Sequence, residues 1–566
     1  MSNISPTASK EKKENVPVSR DSVDERVDSA SIASSDQKRY ASTSASHRKL
    51  ERFHVNLIAI GGTVGTALFI NMGTGLTSGG PASLLIAYLW WTSVICAIAE
   101  CQLELVTFWP TDIGFARNAG RYVDEALGFA TGWNFYLYQQ ALTIFEVTAF
   151  GLVLGFWQET LKVNAAVFIT IVIVLYTALN IWTARGFANA EFCLAMGKVL
   201  LIIGLLLYTF IAMLGGNPGK DRFGFRYWNN PGAFTSPYPE HARSTGIFEG
   251  WFACVVNASF TVAGPDYLTI VAGEARNPRK VMPKAFKATI YRLVVFFIGS
   301  ALAIGILVPY NDPNLLGAQA SDAPGGAKSP YVISMQRLAI PVLPSIVNAL
   351  ILTSVFSAGN AFLFCSSRTL AQMGRDGQAP KLFSKRNRNG VPFIAVGIVL
   401  TLCLVAYCQV SSSASIVITY LTGLVGSAQL VGWIVMSGTW IRWNAGLKAQ
   451  GISRDTLPAR SRFQPFAAWY AFISAIVVTF FQGYNVFLKN HWDTPTFIFA
   501  YFAPVMFIVL FCAWKIIKKT RWEHAATMDV TSYVNDPEFT EYVNYDELEH
   551  RGKFGTALNK TLKAVF

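Results

Sequence analysis

Residues 56–70 read NLIAIGGTVGTALFI, and the reading of this stretch decides the fold. It is apolar and uncharged, and it belongs to a run long enough to enter a bilayer. Its middle nevertheless carries Gly61, Gly62 and Gly65, with Thr63 and Thr66 between and after them. Each glycine costs a helix about 1 kcal/mol relative to alanine, so a simple anchor has no reason to concentrate them. Two readings compete. Gly61-x-x-x-Gly65 is a small-residue seam that lets helices approach closely, or the helix unwinds here and frees main-chain polar groups for use.

The rest of the chain supplies the surroundings. Of its 566 residues, 52% are hydrophobic and only 14% charged, where soluble domains carry about 25% charged residues. The apolar residues fall in continuous runs of about 20 or more, enough to cross roughly 30 Å of hydrocarbon. They do not alternate as in a β-barrel. The reading is an all-α polytopic membrane protein with twelve spans, near 55–76, 81–109, 126–157, 163–183, 189–216, 247–273, 288–309, 342–372, 391–409, 416–441, 466–487 and 496–518.

A net charge of +13 raises nucleic acid as a partner. The positions of the charges argue against it. Arg117 and Arg121 follow span two, Arg279, Lys280 and Lys284 follow span six, Lys381, Lys385 and Arg388 follow span eight, and Arg442, Arg454 and Arg460 follow span ten. All these loops lie on one side of the bilayer, the mark of cytosolic loops. Both termini are therefore expected in the cytosol, and no nucleic acid is expected. The eight cysteines all lie in apolar segments, as small hydrophobes. No metal-ligand spacing and no nucleophile–base set is visible, so no metal, no cofactor and no enzymatic activity are expected. Residues 1–53, polar and serine-rich, read as a disordered cytosolic tail. Residues 54–518 read as the membrane domain and 519–566 as a second cytosolic tail.

Span six, GWFACVVNASFTVAGPDYLTIVAGE, is interrupted too, at Ala263-Gly264-Pro265-Asp266. If the first five spans repeat as the second five, spans one and six correspond. Matched Gly/Pro interruptions are the best sequence pointer to the binding site of a secondary transporter. Freed N–H groups at a half-helix N-terminus would hold an anion, and freed carbonyls a cation. The matched break turns the preference from packing to binding.

These segments resemble a family. GGTVGTALF is similar to the first-helix signature of the fungal amino acid permeases, within the amino acid–polyamine–organocation superfamily. FTVAGPDYLTIVAGEARNPRKVMPKA resembles their sixth-helix signature, and RGFANAEFCLAMGKVL and SAGNAFLFCSSRTLAQMGRDGQAPKLF their fifth- and eighth-helix regions. The similarity covers about residues 50–520 and is nearest to the plasma-membrane subgroup associated with carnitine and polyamine uptake. It implies twelve helices in a LeuT-type 5+5 inverted repeat, with broken helices one and six, and uptake driven by protons. Two departures bear on selectivity. Ala67 stands where most members have glycine, and Gly264-Pro265-Asp266 where most read Gly-Thr-Glu.

Ionisable groups inside spans are functional by default. Glu146 in span three would take a proton or a substrate ammonium, or else hydrogen-bond another helix. Lys198 in span five matches a family lysine and would couple a proton, or form a fixed ion pair with a glutamate. Asp266 would gate the cytosolic path, attract a cation, or cap the second half-helix. Glu100 and Glu104 form a proton site or pair with loop arginines, the second being slightly favoured. Thr353, Ser354 and Ser357 would line the coupling site opposite Lys198, or serve packing.

The combined expectation is a proton-coupled secondary transporter importing amino acids, carnitine, polyamines or related small solutes across the plasma membrane by alternating access. Ile60, Thr63, Gly65, Thr66, Phe260, Ala263 and Asp266 would bind substrate, and Lys198 and Glu146 would couple protons. The alternative is a nutrient sensor with the same fold, signalling through its long tails. Those tails would equally serve a ubiquitin ligase or adaptor acting on Lys10, Lys12 or Lys13. A channel fits less well, because rings of one charge sign are absent.

Overall fold

The computed structural model describes residues 62, 64–111, 113–157, 160, 163–182, 184–238, 240–275, 278–320, 329–410 and 414–530. Ile60, Thr63, the tail lysines and the residues beyond 530 lie outside the described residues. Within them, regular structure is entirely helical. Nine helices are long and apolar enough to cross a membrane, and Ala165–Ile181 and Phe466–Phe481 are shorter apolar helices. The first of the nine, Ala67–Phe108, is two spans joined at Gly80. The described residues thus make twelve crossings, in agreement with the sequence reading.

We label these crossings α1 (66–79), α2 (81–108), α3 (Glu125–Leu154), α4 (Ala165–Trp182), α5 (Ala184–Met213), α6a (Arg243–Thr261) with α6b (Pro265–Val271), and α7 (Pro278–Leu307). The remainder are α8 (Leu343–Arg375), α9 (Phe393–Val410), α10 (Ala414–Ala449), α11 (Phe466–Phe481) and α12 (Thr494–Lys518).

The α1–α2 joint shows how local chemistry sets the path. Gly80 has φ 82° and ψ 172°, open to glycine without steric cost. A Cβ there would also lie 2.8 Å from the Ala233 carbonyl oxygen. Pro81 then opens α2, where a missing N–H is harmless. The α5–α6 connection lies across the joint and satisfies it. The Ala82 N–H donates to the Ala233 carbonyl at 2.9 Å, and the Thr235 N–H to that of Gly79 at 3.1 Å.

Lipid cannot drive helices together by hydrophobicity, so packing and interhelical hydrogen bonds must hold the bundle. The interior is built accordingly. Val64, Leu68, Phe145, Phe260 and Ala358 are buried at its centre, while Val505, Ile508 and Val509 of α12 face outward. α9 is α-helical only over Phe393–Leu402 and continues as a 3₁₀ helix, Cys403–Val410. The α7–α8 connection is partly structured, with short helices Pro313–Ala320 and Pro330–Arg337. Ser329 at its edge donates to the Phe69 carbonyl at 3.0 Å.

The sequence boundary at 518 falls inside the folded body. Beyond α12 the chain turns back across the ends of α2, α3 and α10. The Glu523 N–H donates to the Val123 carbonyl at 2.9 Å, and Arg442 to the Glu523 carbonyl at 2.6 Å. Gln450 donates to the Met528 carbonyl at 2.6 Å, and Arg121 pairs with Asp529 at 2.5 Å. Met528 is buried in a cluster with Tyr122, Trp440 and Trp443.

Candidate substrate site

The break in α1 is built by its glycines. Gly62 is helical, Val64 and Gly65 form a bend, and Ala67–Asn71 is a π-helical turn. A Cβ on Gly65 would lie 2.5 Å from Glu146 Oε1 and 3.0 Å from the Ala358 Cβ. The missing side chain therefore lets α3 and α8 reach the main chain. Glu146 uses that access. The Thr66 N–H donates to Oε1 at 3.2 Å and the Thr66 hydroxyl to Oε2 at 2.5 Å. Ser354 of α8 donates to the freed Val64 carbonyl at 3.3 Å. Unwound backbone inside a membrane requires such partners.

The break in α6 lies against it. A Cβ on Gly62 would stand 2.5–2.9 Å from ring atoms of Tyr267, the third residue of α6b. α6a ends at Thr261 and α6b restarts at Pro265. Asp266, buried, accepts the Gly264 N–H on its carboxylate at 3.3 Å. It caps α6b and meets the positive end of its dipole. Ala263 is buried in the gap, and Phe260 packs edge-on against Phe145 at 5.4 Å. α6a is also tied to α1 and α2. Asn257 donates to the Asn71 carbonyl at 2.8 Å, Tyr88 donates to Asn257 Oδ1 at 2.8 Å, and the Cys254 thiol contacts the Gly75 carbonyl at 3.1 Å.

Beside the α1 break lies a cluster of buried charges. Lys198 of α5 interacts electrostatically with Glu146 and with Glu191, an acid that the sequence reading did not single out. Glu191 is seven residues before Lys198, two turns along the same face of α5. That spacing was the signal available in the sequence. Ser357 of α8 donates to Glu191 Oε1 at 2.8 Å. Asn360 lies next to it and receives a bond from Asn180 of α4 at 2.7 Å. Ser354 and Ser357 thus face the site, whereas Thr353 bonds the Leu350 carbonyl on the exposed side of α8.

Glu104 is elsewhere. It receives Arg454 at 2.5 Å and the Ser461 N–H at 2.8 Å on one oxygen, and Trp440 Nε1 at 2.9 Å on the other. This is the pairing with a loop arginine that the sequence reading favoured. Among the described residues no group of His, Cys, Asp and Glu side chains could hold a metal.

Residues 54–526 match the profile of the family described as amino acid permease. The chain is 38% identical over 529 residues to the general amino acid permease AGP2 of Saccharomyces cerevisiae, covering 93% of this chain and 88% of that one. It is 37% identical over 506 residues to the dicarboxylic amino acid permease of the same yeast, covering 89% and 82%. Among solved structures, a manganese transporter of Eremococcus coleocola superposes with a TM-score of 0.50 at 12% identity, covering 82% of this chain and 94% of that one, a likeness of fold alone. With two adjacent broken helices at the centre of a twelve-helix bundle, the chain is a multi-pass membrane transporter and not an enzyme, and it belongs to the amino acid permease family.

Proposed function

We propose that the chain imports amino acids or related small zwitterions across the plasma membrane, together with protons, by alternating access. Both termini then face the cytosol, with residues 54–518 forming most of the transport body. The observation that supports this most is the seat of Glu146, whose carboxylate occupies the amide and hydroxyl of Thr66 at the α1 break. A substrate carboxylate drawn to the same break meets a like charge. At 4 Å and an effective dielectric of 20, that repulsion is about 4 kcal/mol. A proton on Glu146 removes it, so proton and substrate carboxylate bind best together.

In this reading the main chain at Thr63, Gly65 and Thr66 receives the carboxylate. The carbonyls of Ile60 and of Phe260 to Ala263 receive the substrate ammonium, and Asp266 adds negative field. Lys198 senses the charge on Glu146. The α1–α6a unit, tied by Asn257 and Cys254, moves as one body against the rest.

A polyamine lacks the carboxylate and leaves Glu146 charged, while carnitine has one. The test is uptake of labelled amino acids, carnitine and spermidine into yeast cells lacking their own carriers, at acidic and neutral pH, with and without an uncoupler. Carboxylate-bearing solutes should be taken up faster in acid, and the uncoupler should abolish the gain. Uptake indifferent to both pH and uncoupler would refute proton coupling.

A further inference from the structure

We infer that Glu191 is the carboxylate that passes the transported proton from Lys198 to the cytosol. The inference rests on the proton-coupled reading above and adds a residue that neither the sequence analysis nor the family resemblance assigned.

Position is the first argument. α5 starts at Ala184, at the loop assigned to the cytosolic side by the run of basic loops. At 1.5 Å per residue, Glu191 lies roughly 10 Å into the helix and Lys198 roughly 21 Å. Glu191 therefore stands between the mid-membrane lysine and the cytosol. The two-turn spacing puts both side chains on one face, and they interact electrostatically across it.

The second argument is hydrogen-bond satisfaction. A buried acid with a purely structural task has its oxygens filled, as Glu104 does. Glu191 is as deeply buried, yet only Oε1 is bonded, by Ser357, and Oε2 has no partner. The Nδ2 of neighbouring Asn360 is unpaired as well. A buried carboxylate oxygen left without a donor is costly. Protonation removes the charge, and a buried neutral acid costs less than an incompletely bonded carboxylate, so the site tolerates both the charged and the neutral form.

The groups facing Glu191 fit the same role. Lys198 lies on its own helix and also interacts with Glu146 of α3, and Tyr176 of α4 interacts with both acids and with Cys403 of α9. α8 presents the neutral Ser357 and Asn360. The path runs Glu146, Lys198, Glu191, from the α1 break toward the cytosol.

The proton steps balance. When substrate leaves, protonated Glu146 gives its proton to the Lys198 amine: an O–H bond breaks, an N–H bond forms, and a carboxylate and an ammonium result. The Lys198 ammonium then gives a proton to Glu191. That N–H bond breaks as an O–H bond forms on Oε2, leaving an amine beside a carboxylic acid. Water reaching α5 from the cytosolic side takes the proton from Glu191 and restores its carboxylate. One proton moves per cycle, and no oxidant, reductant or metal is needed.

The test uses the full-length wild-type chain and the variants E191Q and E191D in liposomes. Exchange of a radiolabelled mixture of the protein amino acids is measured at equal pH on both sides. Uptake of the same mixture is measured with the outside acid, while an internal pH dye reads proton entry. Exchange shuttles the loaded, protonated carrier and does not need Glu191 to discharge. E191Q should keep exchange near the wild-type level while gradient-driven uptake and proton entry fall roughly a hundredfold. E191D should retain coupling with a displaced pH profile. If E191Q fails to fold, a displaced profile in E191D alone still supports the assignment, and an unchanged one overturns it. Full gradient-driven uptake by E191Q overturns it, and so does an equal loss of exchange and uptake in a folded E191Q. If wild type itself shows no proton entry with uptake, the proton-coupled reading fails first; if wild type is coupled and E191Q equally so, only the role of Glu191 falls.

Discussion

Replacing Gly62 with alanine tests whether the two broken helices work as one site. The added Cβ would lie 2.5, 2.7 and 2.9 Å from Cε1, Cδ1 and Cζ of Tyr267. Carbon atoms rest at about 3.5–4.0 Å, so the ring or the main chain must yield by about 1 Å. The ring has little room. It is buried, with Phe362 at 6.1 Å between centroids and Gln139 Nε2 at 3.4 Å from its hydroxyl. Overpacking of this kind costs about 1–3 kcal/mol. The cost falls only on states in which α1 and α6b touch at this point. If the break opens during transport, the balance of states shifts by about 5- to 150-fold. The assay is uptake per molecule at the cell surface, measured after surface biotinylation, for Gly62→Ala, Tyr267→Ala and the pair. Gly62→Ala should lower uptake at least about fivefold at normal surface abundance. Removing the ring should relieve the penalty, giving a coupling energy of about 1 kcal/mol or more. An identical effect of alanine with and without the Tyr267 ring would refute the reasoning, because the ring would then not be what the methyl group meets.

Three further outcomes are expected. Glu104→Ala leaves Arg454, the Ser461 N–H and the Trp440 N–H facing a gap. It should cost about 3–5 kcal/mol, seen as a lower melting temperature in detergent, with the pH profile of uptake unchanged; a displaced profile would return Glu104 to the proton path. His241 lies outside the membrane spans with its Nδ1 2.8 Å from Glu249, and that carboxylate holds the imidazolium above the usual histidine range. A raised value means the pair stabilises fully below the ordinary pKa of about 6.5 and fades as pH rises through the higher folded one. His241→Ala should therefore lower the melting temperature more in acid than in alkali, and an equal drop at both would contradict this. Met528→Asp sets a charge against Trp440 and Trp443, at a cost of several kcal/mol if it stays buried. The segment should release, and trypsin should cut after Lys518, Lys519 or Arg521; an unchanged digest would show that the segment holds without Met528.

The helices and both breaks were legible because their causes are local. Continuous apolar runs set the spans, and Gly61 to Gly65 and Gly264-Pro265 weaken a helix whatever surrounds them. Other features depend on parts of the chain distant in sequence. Glu146 showed in the sequence as an isolated acid with several possible partners. Only the approach of α3 to Thr66 selects among them. Glu191 sits at the start of its span and reads there as an ordinary end-of-helix charge, until Ser357 of α8 closes over it. The fold of 519–530 is carried by scattered anchors, Glu523, Met528 and Asp529. None of these forms a periodic pattern that a sequence displays.

Seen from the main chain, the two breaks share one device. In each, amides freed at the start of a half-helix are held by a carboxylate of the protein itself, Glu146 at Thr66 and Asp266 at Gly264. The two acids differ in reach. Asp266 is two residues from the amide it binds and caps its own half-helix, so moving α6b carries the cap along. Glu146 belongs to α3 and is eighty residues from Thr66, so any motion of α1 against α3 must break or carry that bond. Under the proposed function, a substrate carboxylate competes with Glu146 on these terms and not with Asp266. Selectivity on this reading follows from the residue that the substrate displaces, and coupling follows from the proton needed to displace it. Glu146→Gln should therefore admit the carboxylate without a proton and flatten the acid dependence of uptake. If that variant retains the wild-type pH profile, the competition does not take place at Thr66.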